Sequence, residues 1–339
     1  MIYVVLFFLG FSLLLYVLLA GADFGAGIVE LFSSKKDQEI TKKTIYQVMG
    51  PVWEANHIWI IILIVILWVG FPSYYNILVV HLHIPLTIML LGVTLRGVAF
   101  VFRHYDAYKD KSQILYDNMF KMASLITPIF LGMIFGAMVS GKITIPEHVE
   151  NESFKSMFLD SWLNIFSLLV GFFFAALCAF LSATLLIGEA QEGNEGIYIK
   201  KSTTAIICVV IIGFITIAYG FFNDVRFVLD FVKSPYAMTA MVLSALLLIP
   251  LWYSIKNARR IKSRAFAGMQ VVLILYAAIS THFPYLIITS TRALSIMEGT
   301  APESVINVLG ITLIIGSLVI LPGLFHLFKS FKMIKILER

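Results

Sequence analysis

Charge is what this sequence lacks most: 13% of its 339 residues are Asp, Glu, Lys or Arg, about half the share usual in soluble domains. With 60% hydrophobic residues and a mean hydropathy of +0.92, the composition excludes water as the main solvent. Cysteine is scarce as well. Cys178 and Cys208 fall inside apolar runs with no paired spacing, which speaks against a disulfide framework or a thiolate metal site and reads them as small core residues. Long polar stretches are also missing, so there is no room for a soluble domain, a nucleotide-binding fold or a phosphate-cradling loop. The net charge of +5 therefore reports membrane topology, not nucleic acid. No Lys or Arg precedes Lys35, and the first apolar run exceeds a signal-peptide core, so it is expected to stay as an anchor.

What is present is a series of apolar runs. A helix needs about 20 apolar residues to cross the hydrocarbon, and segments near 4–31, 55–72, 78–102, 119–140, 161–187, 204–222, 237–255, 264–288 and 305–328 qualify. The expectation is an all-α, polytopic membrane protein of about nine transmembrane helices, forming a single helical domain over 1–339. Nineteen of the 25 basic residues fall in the segments after the odd-numbered spans or at the adjoining span ends, and Arg96 alone lies deep within a span. By the positive-inside rule the N-terminus is outside and the C-terminus cytoplasmic. Gly21 and Gly25, and Gly132, Gly136 and Ser140, are spaced for close helix packing. The tryptophans near span ends, Trp53, Trp59, Trp68, Trp162 and Trp252, read mostly as an interfacial belt.

Ionisable residues within lipid are costly and become functional candidates. Asp23, in GADFGAG, lies about nine residues before the cytoplasmic end of the first span, roughly 13 Å inside it at about 1.5 Å per residue. Glu30 follows seven residues on, along the same face. Asp23 either transfers protons or holds a neighbouring helix, and the residues alone leave both open. Glu54 opens the second span in GPVWEANHIW, where an acid also suits a helix N-terminus, and His57 shares its face for proton exchange. Arg96 needs an anionic partner, and Asp23 and Glu54 lie at comparable depth, so a cluster of the three is expected. The histidines show no spacing for a metal or haem, so none is expected to be bound by this chain alone.

At GADFGAG and GPVWEANHIW the sequence resembles subunit II of the cytochrome bd quinol oxidases, with further matches at Arg96 with Arg103, at Pro128 and Gly136, at Leu163-Asn164 and at Phe283-Pro284. The resemblance implies a bacterial plasma-membrane complex of the respiratory chain in which a haem-bearing subunit I carries two haems b and one haem d. A membrane quinol is the electron donor, dioxygen is reduced to water, and there is room for a small accessory membrane subunit. It further implies that this subunit is a scaffold and a proton route from the cytoplasm, with Asp23 matching the acid of the first motif and Glu54 that of the second; by their placement near these acids His57 is expected on the path, with Trp53, Arg96 and Glu30 supporting it. Where some members carry a second acid four residues before the first, this chain has Leu19, so a route depending on that acid would be altered here. The competing functions are a proton-coupled secondary transporter, which would want broken helices at paired positions, and a purely structural assembly subunit.

Overall fold

In lipid an apolar chain must satisfy its backbone amides internally, which leaves the α-helix as the form for these runs. The computed structural model describes residues 1–50, 53–105, 111–145, 153–191 and 193–330, without the side chains of Glu54, Tyr105, Phe328 and Lys329. Helix α1 (Ile2–Leu15) passes through a π-helical turn at Tyr16–Ala20 into α2 (Gly21–Leu31), making one 30-residue rod. A polar helix, α3 (Lys35–Met49), follows, started by the Ser34 hydroxyl, which accepts from the Asp37 amide at 3.2 Å.

Then come α4 (Trp53–Asn56), α5 (Ile58–Gly70), α6 (Pro72–His81), α7 (His83–Tyr105), α8 (Ser112–Val139) and α9 (Phe154–Phe158). The second half holds α10 (Ile165–Ile187), α11 (Glu195–Phe222), α12 (Arg226–Lys233), α13 (Pro235–Lys256), α14 (Arg260–His282), strands β1 (Tyr285–Ile288) and β2 (Ala293–Ser295), and α15 (Glu303–Ser330). Among the described residues eight helices are long and apolar enough to cross a membrane, or nine if the bent pair α5 and α6 is one crossing.

The structure departs from the sequence expectation at four places. The run expected at 55–72 is broken: α5 has 13 residues, about 20 Å, too short for a core about 30 Å thick. The chain turns by 116° into α6 because Pro72 forces Phe71 out of the helical region. The eighth helix ends at His282, and residues expected in it to 288 form β1, paired antiparallel with β2. The Thr289 hydroxyl accepts from the Arg292 amide at 3.0 Å and closes that hairpin. Trp59 and Trp162 are buried in the bundle rather than in a belt, whereas Trp68 is exposed and Trp252 lies under the Lys256 ammonium at 5.2 Å. Cys178 is core, but Cys208 is exposed on α11.

The core is centred on α10, which packs against α2, α8, α11 and α14, while α7 lies along α8. Small residues set the spacing. A Cβ on Gly25 would overlap the Cys178 carbonyl, and one on Gly132 would come within 2.7 Å of the Gly171 Cα, so these helices meet backbone to backbone.

Candidate functional site

Two seven-residue spacings create the site. Asp23 and Glu30 lie two turns apart on α2, and Arg96 and Arg103 two turns apart on α7. Arg96 Nη2 donates to Asp23 Oδ1 at 2.8 Å and to the Asp23 carbonyl at 2.9 Å, and Arg103 Nη2 donates to Glu30 Oε1 at 2.8 Å. Because both pairs advance in step, α2 and α7 run parallel, as they must where the bent pair α5 and α6 makes one crossing between them. Helix α8 fills the space beside them: its Ser124 hydroxyl accepts from Arg96 Nε at 3.1 Å. The Phe120 ring sits between the two guanidinium groups, 4.9 Å from Arg96 Cζ and 4.4 Å from Arg103 Cζ. Gly27 makes room for Ser124 and Phe120 to approach α2.

Toward the protein surface the alternation of sign continues. Arg103 Nε lies 3.1 Å from Asp117 Oδ1, although its N–H is not aligned to donate, and Lys42 Nζ donates to both Asp117 oxygens at 2.7 and 2.9 Å. Three acids thus face three bases, from the partly exposed Lys42 and Asp117 to Asp23, which is fully buried. Mutual pairing is what makes so many charges tolerable at this depth. Lys201, from α11, closes the neighbouring flank by donating to the Thr41 hydroxyl at 3.3 Å and to Ser33.

The pairing is incomplete in a specific way. Asp23 Oδ2 and Glu30 Oε2 are buried and make no hydrogen bond to described protein groups, so each carboxylate commits one oxygen to an arginine and leaves the other free. His57, between α4 and α5, faces the free oxygen of Asp23 with Nε2 at 3.8 Å, beyond direct hydrogen-bond reach. Its ring is held against Phe24 at 5.6 Å and Tyr16 at 6.2 Å between centroids.

Of the residues singled out in the sequence, Asp23, Arg96, Glu30 and His57 converge, and His57 meets Asp23 rather than only its helix neighbour. Trp53 packs over Gly97 and 5.6 Å from Phe100, next to but not within the charged file. Glu54 is placed in α4, but its side chain lies outside the described set. Sequence reasoning missed Lys42, Arg103, Asp117 and Phe120 as site members. The signal available was the matching seven-residue step on the first and third spans.

Elsewhere, His104 stacks on Tyr46 at 4.3 Å, and His282 lies 3.5 Å from Asp230 and stacks on Phe227. No group of three His, Cys, Asp or Glu residues converges as a metal site among the described residues. A second ionic cluster joins α10 to α14, where Glu189 is paired with Arg260 and, at 2.8 Å, with Arg264.

Residues 1–331 match the family described as cytochrome bd terminal oxidase subunit II. The chain is 28% identical over 168 residues to the cytochrome bd ubiquinol oxidase subunit 2 of Bacillus subtilis (strain 168), covering 48% of this chain and 46% of that one. It is 22% identical over 328 residues to the putative cytochrome bd menaquinol oxidase subunit II of the same organism, covering 94% and 91%. It is also 22% identical to the cytochrome bd-I ubiquinol oxidase subunit 2 of Escherichia coli (strain K12), covering 62% and 55%. The match thus spans about half the length of two of these relatives and nearly all of the third. In fold, the chain is similar to one in the bd oxidase from Geobacillus thermodenitrificans, with a TM-score of 0.76 at 19% identity over 97% of this chain and 98% of that one.

Proposed function

The chain belongs to the cytochrome bd terminal oxidase subunit II family, and from that membership we propose that it acts as partner and scaffold for a haem-bearing subunit I, supplying its complex with protons through the Asp23 file. The complex oxidises a membrane quinol and reduces dioxygen to water in the bacterial plasma membrane. The two haems b and the haem d, which carry the electrons, reside in subunit I, and a small accessory subunit can complete the assembly. The end of the bundle bearing Lys42, Asp117 and Lys201 is the cytoplasmic one, by its excess of basic residues.

The observation that carries this reading is the half-used carboxylate. An acid serving only to hold a helix is best placed when both oxygens are bonded, because a buried unpaired oxygen costs about 1–3 kcal/mol. Asp23 and Glu30 each keep one oxygen off the arginine. Arg96 and Arg103 fix the carboxylates in place through the other oxygen, and the free oxygens are where a proton is received and passed on. Ordered water can cover the 3.8 Å from Asp23 Oδ2 to His57 Nε2. Glu54, three residues before His57 in sequence and the acid of the second family motif, is proposed as a further acceptor for the same protons.

The test uses the complete oxidase. Asp23→Asn keeps the shape and the bond to Arg96 but removes the exchangeable acid. Oxygen consumption is expected to fall by at least about tenfold, the scale of a lost acid–base group, with the haem absorption spectrum unchanged. Glu54→Gln is expected to act in the same direction. Parent-like turnover in both variants sinks the proton route and leaves a purely structural subunit. A secondary transporter is disfavoured by the bent pair α5 and α6: among the described residues it is the one such break, with no counterpart in the other half.

A further inference from the structure

Resting on the reading of Asp23 and His57 above, we propose that Tyr16 is the next proton-relay residue after His57, carrying the path from Asp23 along α1 toward the membrane centre through hydrogen-bonded water. Tyr16 opens the π-helical turn between α1 and α2 and is 4% exposed, yet its hydroxyl makes no hydrogen bond to any described protein group. One turn earlier, Ser12 is fully buried and its hydroxyl is equally unpartnered. Across from them, on α5, the indole N–H of Trp59 is buried and without an acceptor, with Phe11 edge-on to its ring at 5.8 Å. His57 completes the group: Nε2 faces Asp23, while Nδ1 is buried with no partner among the described residues, and the ring lies 6.2 Å from that of Tyr16.

Four buried polar atoms without a partner among the described residues, in one seam, are unusual, because buried polar groups are nearly always bonded to protein or to ordered water. Water joining them would make a connected file; Ser12 alone would also suit close helix packing in lipid, but the phenol, indole and imidazole beside it are buried with polar atoms that packing does not satisfy. The chemistry of the groups suits relay. A proton arriving from Asp23 at Nε2 is balanced by one leaving Nδ1, so the imidazole is never required to hold a net charge for longer than the transfer. The ring ends as the other tautomer and is reset by rotation. The Tyr16 hydroxyl accepts one proton through water as it donates its own toward Ser12, and it stays neutral throughout. No redox step is involved, since the electrons travel in the partner.

Tyr16→Phe removes one oxygen from a buried ring and leaves its packing in place. In the complete oxidase it is expected to slow oxygen consumption about three- to tenfold and to enlarge the H2O/D2O rate ratio, with the haem spectrum and the KM for quinol unchanged. Tyr16→His, which restores an exchangeable proton at the site, is expected to recover part of the rate. Asp23→Asn is measured alongside. If that variant is slow while Tyr16→Phe keeps the parental rate and isotope ratio, Tyr16 is not a relay and the Asp23 route stands. If neither is slow, both fall. Should Tyr16→Phe fail to assemble, Ser12→Ala is read by the same rate and isotope ratio: slowing supports the relay, and parental values overturn it.

Discussion

Charges are buried deep in the first half of the chain and kept near the surface in the second. Asp23 and Arg96 are 0% and 1% exposed, whereas Glu189 and its two arginines are 18% and 24% exposed at the rim of α10 and α14. Each cluster ties together helices distant in sequence, so the geometry of an ion pair alone does not separate a functional site from a staple. Depth does, because the carboxylate oxygen that Asp23 leaves unbonded among the described residues is itself buried, whereas the second oxygen of Glu189 is not. Glu189 sits between two cations at a water-accessible edge, where such contacts are worth about 0–1 kcal/mol. Asp23 sits where an unpaired charge is prohibitive, yet it leaves an oxygen open.

The largest effect expected from breaking the deep cluster is that of Arg96→Met. It strands the Asp23 carboxylate, and removal of one partner from a buried pair costs about 3–5 kcal/mol. The assembled oxidase should be largely lost, measured as haem-containing complex recovered at its proper size on gel filtration. Adding Asp23→Asn to Arg96→Met should restore much of the assembly, because no charge is left unpaired, while oxygen consumption stays low. A double variant that assembles no better than Arg96→Met contradicts the assignment of Arg96 as the counter-charge of Asp23.

A smaller effect is expected from the packing that lets the deep cluster form. Gly25→Ala places a Cβ against the Cys178 backbone and must push α2 from α10. Overpacking of this kind costs about 1–3 kcal/mol, visible as a lowered Tm of the complex with normal haem content. Gly268 on α14, next to the shallow cluster, has open space around its Cα, and Gly268→Ala should leave Tm unchanged.

The same contrast separates what the sequence exposes from what it hides. That Asp23 and Arg96 are partners is legible because two lone charges at one depth have few other ways to be satisfied. The charged residues nearer the surface are harder. Arg103 and Lys42 read equally well as topology-setting cations, and Asp117 as an ordinary acid at the start of α8, since hydropathy records depth but not which helices are neighbours. His57 invites pairing with Glu54, three residues away, and nothing in the local sequence shows that its ring, at the helix interruption between α4 and α5, also faces Asp23. The bend at Phe71 is written in Gly70-Phe71-Pro72, although a smooth apolar window runs across it. Hairpin β1 and β2 is invisible to apolar length because Tyr285–Ile288 is as apolar as the helix before it.

The smallest effect, and the sharpest for the comparison, is a matched pair of neutral substitutions. Glu30→Gln and Glu189→Gln each replace one ion-paired acid by its amide with the arginine contacts sterically preserved. If ion pairing were the whole role of both, the two would behave alike. Glu189→Gln should change Tm little, by no more than the about 1 kcal/mol of an accessible pair, and oxygen consumption should match the parent. Glu30→Gln removes the exchangeable site between the surface and Asp23, so turnover should drop even where assembly is retained. Equal, parental turnover in both variants would mean that protons reach Asp23 without passing Glu30. The route would then run by way of Glu54 and His57, and Glu30 with Arg103 would join Glu189 as a staple.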